Sequence, residues 1–258
     1  MTPRKNLRRT GLLALLAVAA PMLIASPALK AQNADLSDEA FGKRVRDYLM
    51  QNPEVLRDVL QELDKKERDQ QAQAVQTTIA SKADALYRST GDLVMGNPKG
   101  NVTVVEFMDY NCGYCKRSLP DVMKLIDNDK ELRLVIKEFP ILGPTSVVAS
   151  HAALAADKQG KYKEFHLALM EHKGALSEAA IFEIAKSVGL DVDKLKADMQ
   201  DKAVTERIEN NHSIANALGI DGTPAFIIDQ QLIPGAMGYD SLAEAVSQVR
   251  SSGGCKYC

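Results

Sequence analysis

The spacing of apolar and polar positions changes several times along the chain, and each change marks an expected element. Ser37-Asp38-Glu39 supplies a helix cap, and Phe41, Val45, Tyr48 and Leu49 then recur at steps that share one helical face. Asn52-Pro53 restarts a helix with proline near its first position. Leu56, Val59, Leu60 and Leu63 form an apolar stripe, residues 70–76 are largely polar, and Val75, Ile79, Ala83 and Leu86 resume the three- and four-residue steps. A helix of this kind cannot bury its stripe alone; it folds back on the rest of the chain or packs against copies of itself. The heptad is irregular, so a continuous coiled coil is not expected, and a solvated spacer is the plainer alternative.

The period then shortens. Gly96-Asn97-Pro98-Lys99-Gly100 is a turn-rich join, preceded by a short candidate strand at residues 93–95. Residues 102–108 are apolar and β-branched almost without interruption, the pattern of a strand buried on both faces. A helix is expected over 112–128, kinked at Pro120, and a second strand over 132–139. Residues 144–218 read as helical throughout, in pieces at 147–156, 165–170, 179–188 and 204–218, punctuated by Gly160, Gly174 and Gly189. A closing hairpin at 225–228 and 232–233, turning at Asp229-Gln230, precedes a last helix at 239–249. The class is α/β.

Composition narrows the setting. With 258 residues, 45% hydrophobic and 26% charged, the chain has room for one or two ordinary globular domains. A net charge of −2 without a basic stripe gives no argument for a nucleic-acid partner. Arg4, Lys5, Arg8 and Arg9 precede an apolar run over 11–24, followed by small residues. This is the pattern of a signal peptide, cleaved after Ala28 or alternatively after Ala31, and the mature chain is expected to be exported. An uncleaved anchor is the rival, but Pro21 interrupts the run, which is shorter than the roughly 20 residues of a membrane span. All four cysteines fall in two Cys-x-x-Cys pairs, which suits a compartment where disulfides form and exchange.

The first pair, Cys112-Gly113-Tyr114-Cys115, follows the apolar strand and opens the helix. A cysteine at a helix N-terminus meets unpaired backbone N–H groups and the positive end of the helix dipole, both of which favour thiolate. Cys112 is the candidate nucleophile and Cys115, one turn deeper, the candidate resolving thiol. The spacing alone also serves zinc, copper and inert disulfides. A single zinc site wants a second pair about 15–20 residues on, and no cysteine or histidine follows Cys115 until His151. Far along the chain, Gly222-Thr223-Pro224 feeds the apolar strand of the closing hairpin. In a thioredoxin fold a cis-proline at that place faces the cysteines; the plainer reading is a trans-proline at a strand's first residue, but with the Cys-x-x-Cys upstream the cis form is expected.

Several motifs together resemble the DsbA family of periplasmic thioredoxin-fold proteins. They are Glu106-Phe107 before the first cysteine, Cys112-Gly113-Tyr114-Cys115-Lys116, Phe139-Pro140-Ile141-Leu142, and Gly222-Thr223-Pro224-Ala225-Phe226. Within that family the chain is most similar to ScsC-type proteins, which carry an N-terminal helical oligomerisation segment, and Gly113-Tyr114 resembles the dipeptide of the DsbC isomerases. The resemblance implies a DsbA-like thioredoxin fold with a helical insertion at about 144–218, preceded by an α-helical oligomerisation stalk. The division is then a signal peptide at 1–28, the helical segment at 29–90, the thioredoxin domain at 91–252 and a flexible tail at 253–258. It implies a homo-oligomer, a trimer by preference, acting as a disulfide isomerase or reductase on cysteine-containing exported proteins, with a membrane redox partner that recycles the site. No cofactor is implied, since the redox-active disulfide carries the electrons. Glu106 matches the family's buried acidic residue and can relay a proton to Cys115, with Lys137 on the neighbouring strand a weaker partner for it. The resemblance also implies that Gly113, Tyr114, Thr223 and Pro224 surround the thiolate and contact the substrate. A monomeric dithiol oxidase is the first rival; a copper-binding or copper-tolerance protein using both pairs is the second. His151, His166, His172 and His212 lack ligand spacing and read as surface or core-edge residues.

The end of the chain departs from the family pattern. Gly253-Gly254-Cys255-Lys256-Tyr257-Cys258 puts a second pair outside any helix. A local disulfide, a shuttle to Cys112 and a soft Cu(I) site at Cys255 and Cys258 are all open, since paired thiolates suit that ion.

Overall fold

The computed structural model describes residues 37–258, so the expected signal peptide lies outside the described residues. The chain divides into two compact units between Asp58 and Val59. The first holds helix α1 (Asp38–Gln51) and the start of α2 (Pro53–Ser81). Ser37 caps α1 by accepting the Ala40 N–H at 3.3 Å, satisfying one of the donors a helix start leaves open. The expected face is present, and Phe41, Val45, Tyr48 and Leu56 are all exposed.

The second unit is built on a five-stranded sheet. Its strands are β1 (Leu93–Gly96), β2 (Val102–Met108), β3 (Leu132–Glu138), β4 (Ala225–Ile228) and β5 (Gln231–Pro234), in the order β1-β3-β2-β4-β5. β2 and β3 run parallel, joined through α4 (Gly113–Asn128), as a parallel pair requires; the other pairings are antiparallel. β2 is buried along its whole length, as its unbroken apolar run demands. α4 runs through Pro120 without interruption. At Gly96 a side chain has no place: the backbone lies at φ +74°, and a Cβ would stand 2.5 Å from the Leu132 carbonyl oxygen.

Two apolar layers cover the two faces of the sheet. On one, Val104 and Met108 pack with Leu134, Ile136 and the helical insertion. The insertion comprises α5 (Pro144–Ala156), α6 (Tyr162–Glu171), α7 (Glu178–Ser187), α8 (Val192–Asp198) and α9 (Lys202–Ala217). α8 falls within the stretch expected to be helical but outside the individual pieces expected there; it is a single short piece started by Asp191, whose carboxylate accepts the Lys194 N–H at 3.0 Å. On the other face, Val105, Phe107 and Val135 pack with Ile79 of α2 and with Ala83, Leu86 and Tyr87 of α3 (Ala83–Tyr87). The last two turns of the expected helical segment therefore help fill the core of the sheet domain. α10 (Tyr239–Ser251) closes the unit, its Arg250 paired with Asp129 at 2.6 Å.

Candidate active site

The site forms where β2 ends and α4 begins. Cys112 is the N-cap of α4, and its sulfur accepts the Cys115 N–H at 3.3 Å. Both cysteines are free thiols. Cys112 keeps 4% of its surface exposed and Cys115 none, so only the first can be reached from solvent. As a thiol, Cys112 donates to the Thr223 carbonyl at 3.1 Å, across the sheet from the other end of the insertion. The Thr223–Pro224 bond is cis, so the carbonyl that meets Cys112 belongs to the residue directly before a cis-proline. A cavity of about 190 Å³ lined by Ile220, Gly222, Thr223, Pro224, Leu232 and Gly235 lies beside it.

The electrostatics separate the two sulfurs. Cys112 is lowered to about 5, chiefly because the Cys115 thiol donates to its thiolate. Burial opposes the shift, while the Thr223 hydroxyl and the N–H groups of Cys115 and Tyr114 add to it. Thr223 thus serves both states: its carbonyl accepts the hydrogen bond of the thiol, and its hydroxyl stabilises the anion. Cys115 moves the opposite way, raised first by burial and then by its donation to Cys112 and the Glu106 charge. Glu106 is buried in β2 and raised to about 8, by burial first and by the Cys112 thiolate second. A carboxyl poised near neutral beside a thiol that resists ionisation can accept and return its proton.

Gly113 and Tyr114 occupy the first turn of α4. Tyr114 is 62% exposed, with the Arg117 guanidinium stacked 4.2 Å from its ring, leaving an amphipathic surface beside the nucleophile. A Cβ at Gly113 would press on that guanidinium at 3.3 Å. A groove of about 570 Å³, lined by Leu119, Met123 and Met170 with Lys116 and His172 at its edge, flanks the same helix.

Lys137 does not pair with Glu106. In the parallel register Glu106 faces Ile136 while Phe107 faces Lys137, so the two charges point to opposite sides of the sheet. Lys137 instead pairs with the buried Asp92 and donates to the Ala85 carbonyl at 2.5 Å, holding α3 to the sheet. His166 is likewise not at a core edge. It is buried, lowered to about 3 by desolvation, and its Nδ1 lies 2.9 Å from the Tyr110 hydroxyl.

Sequence reasoning passed over the residues that set the loop before Cys112. The buried Asp109 carboxylate accepts the N–H groups of Asn111 (2.7 Å), Ile141 (2.8 Å) and Leu142 (2.9 Å) and the Ser146 hydroxyl (2.7 Å). It joins the active-site loop to the loop after β3. Asn111 continues the bracing by accepting the Leu176 N–H at 2.8 Å. Next to it, Glu138 accepts hydroxyls from Tyr110 (2.7 Å), Tyr162 (2.9 Å) and Ser150 (2.7 Å), yet burial still raises it to about 7. The available signal was a carboxylate at the end of each apolar strand, where an unpaired charge would be costly.

The tail is not the free end expected. Cys255 and Cys258 are bonded to each other, the Lys256 N–H donates to Asp229 at 2.7 Å, and Arg88 donates to the Tyr257 carbonyl at 2.6 Å. Among the described residues no group of three or more His, Cys, Asp or Glu is arranged around a metal position, and no helix is long and apolar enough to cross a membrane.

Comparison with known proteins bears on this geometry. A family model described as a DSBA-like thioredoxin domain matches residues 103–247, and one described as the copper resistance protein ScsC N-terminal domain matches residues 39–70. A thioredoxin-like oxidoreductase from Silicibacter pomeroyi is 45% identical, covering 65% of this chain and 97% of its own, with a TM-score of 0.64. A linker-deleted mutant of Proteus mirabilis ScsC is 30% identical over 85% of this chain and 99% of its own, with a TM-score of 0.66. Among curated sequences, the Na(+)/H(+) antiporter NhaA 1 of Salinispora arenicola is 32% identical over 60% of this chain; the chain spans 24% of that relative's length.

Proposed function

The chain belongs to the DsbA-like thioredoxin family of thiol–disulfide oxidoreductases, and from that premise we propose that it is an exported disulfide isomerase and reductase working as a homo-oligomer. The observation that carries the finer reading is that the apolar stripe of α1 and that of α2 each lack a partner among the described residues. Phe41, Val45, Tyr48, Leu56, Val59, Leu60 and Leu63 are all exposed there, on the stretch that matches the ScsC N-terminal domain. Packing that face against other copies gathers several sites around one space, which suits repeated exchange on a mispaired substrate. The likeness to ScsC favours three copies. Export is supported by the basic and apolar pattern of residues 1–28.

In the proposed cycle the Cys112 thiolate attacks a substrate disulfide. One substrate sulfur leaves as a thiolate, and a mixed disulfide joins Cys112 to the other. Either the substrate's own thiol then attacks, which reshuffles its pairing and regenerates Cys112, or Cys115 attacks and leaves the substrate reduced. In the second case the Cys115 proton passes to Glu106, and the site ends as a disulfide that a membrane redox partner must reduce. Gly113, Tyr114, Thr223 and Pro224 receive the substrate. No cofactor takes part, because the cysteine pair carries both electrons.

A dithiol oxidase is the second reading, favoured by the depression of Cys112 to about 5, which stabilises the reduced site and makes its disulfide oxidising. Reactivation of a scrambled disulfide substrate separates the two. Leu56→Asp with Leu60→Asp in the full chain should abolish self-association and reactivation while dithiol oxidation persists. Reactivation unchanged by the loss of association would refute the role of the oligomer, and a natural chain that oxidises dithiols without reactivating the substrate would refute the isomerase reading.

A further inference from the structure

The chain carries the Cys-x-x-Cys spacing twice, and the fold keeps the pairs apart. The Cys258 sulfur lies 3.0 Å from the Thr103 backbone nitrogen at the start of β2, whereas Cys112 follows the end of that strand. The five steps from Thr103 to Met108 alone span about 17 Å. In this arrangement the tail cannot reach its own active site, so a shuttle within one docked chain is excluded.

Three parts of the fold meet at the tail disulfide. Asp229 sits in the hairpin turn with φ +51°, and its carboxylate accepts the Lys256 N–H at 2.7 Å and lies 3.5 Å from the Cys255 sulfur. Its carbonyl accepts the Tyr87 hydroxyl from α3. Arg88, the next residue, donates to the Tyr257 carbonyl at 2.6 Å and pairs with Asp84. The Lys256 N–H and the Tyr257 carbonyl both belong to the ring that the disulfide closes. Those two groups are the ones that tie the tail to the hairpin and to the end of the helical segment.

We propose that Cys255–Cys258 is a second thiol–disulfide exchange site, serving a dithiol partner, whose closed form latches the tail across the end of the helical segment. The partner's thiolate attacks Cys255, the Cys255–Cys258 bond breaks, and Cys258 leaves as a thiolate. The Thr103 N–H stabilises that anion, whereas the Asp229 carboxylate would disfavour one on Cys255, so Cys258 is the better leaving group. The partner's second thiolate then attacks the mixed disulfide and frees Cys255. The partner departs as a disulfide, and the tail holds the two electrons and takes up two protons in their place. Opening the ring returns backbone freedom to Lys256 and Tyr257, and holding both in the docked geometry then costs entropy that the closed ring had removed.

The test uses the full chain carrying Cys112→Ser and Cys115→Ser, so that only tail thiols respond. It is equilibrated with reduced and oxidised dithiothreitol without denaturant, alkylated, and weighed; hydrogen exchange is followed at residues 84–88 and 255–258. The expected result is two labels, on Cys255 and Cys258, together with exchange at least about tenfold faster in both stretches once the pair is reduced. A pair that opens only when the chain unfolds would make it a staple and overturn the exchange site. A pair that opens with exchange unchanged at both stretches would overturn the latch. If the serine variant does not fold, the natural chain with Cys112 alkylated beforehand, its new labels assigned to Cys255 and Cys258 by peptide mass, gives the same readout.

Discussion

Cys112–Cys115 and Cys255–Cys258 share a spacing and almost nothing else. The first pair caps a 16-residue helix; its sulfurs are free, and donors converge on one of them until its thiolate is the stable form near neutral pH. The second pair follows the end of α10, closed on itself, with one backbone N–H at one sulfur and a carboxylate near the other. The chemistry of a Cys-x-x-Cys pair is therefore set by what surrounds it: the helix N-terminus, the facing Thr223, and the buried carboxyl beneath.

The contrast breaks most sharply by removing each pair. Cys112→Ser should reduce exchange with a model disulfide substrate by about a thousandfold or more, to the uncatalysed background, because the nucleophile is gone. Cys255→Ser with Cys258→Ser should leave the same assay within about twofold. Comparable losses in the two would mean that the tail takes part in the main reaction.

The next largest effect tests the bracing behind the first pair. Asp109→Ala strands three half-buried backbone N–H groups and a buried hydroxyl, so chemical denaturation should show a loss of about 2–4 kcal/mol. Asp109→Asn keeps part of the acceptor set and should lose less. The loosened loop should also raise the Cys112 midpoint toward that of an ordinary thiol.

Glu106→Gln sharpens the contrast further. The Glu106 carboxyl is raised above its ordinary value of 4.5, so its contribution to stability is full below 4.5 and is lost as pH rises through about 8. The glutamine variant carries no such charge. Compared at pH 9, the reduced variant should be more stable relative to wild type than it is at pH 4, by on the order of 5 kcal/mol. Resolution of a mixed disulfide by Cys115 should slow by about tenfold or more, through loss of the proton acceptor. The tail pair should respond to neither change.

Most of the frame around the first pair was legible beforehand, because the signals were local and periodic. The apolar run of β2, the cap at Cys112, the proline of the closing hairpin and the stripe on α1 and α2 are each readable from neighbours in sequence. What was not legible depends on register and on contacts far apart in the chain. Lys137 beside Glu106 looked plausible until the parallel pairing put them on opposite faces. The four partners of Asp109 come from three separate stretches, and no spacing rule joins residues 109, 141 and 146. The tail read as free because its pair lies outside any helix, while the groups that hold it, Asp229 and Arg88, lie in a hairpin turn and at the end of a distant helix.

The most direct test of the account is the rate at which reduced Cys112 is alkylated as a function of pH, followed by mass on the intact chain. With the thiolate dominant at neutral pH, the rate should fall away through a midpoint near 5 as the pH is lowered. A midpoint of about 8.5, that of an unperturbed thiol, would show that the helix start and Thr223 do not activate the sulfur, and the assignment of Cys112 as the nucleophile would fall with it.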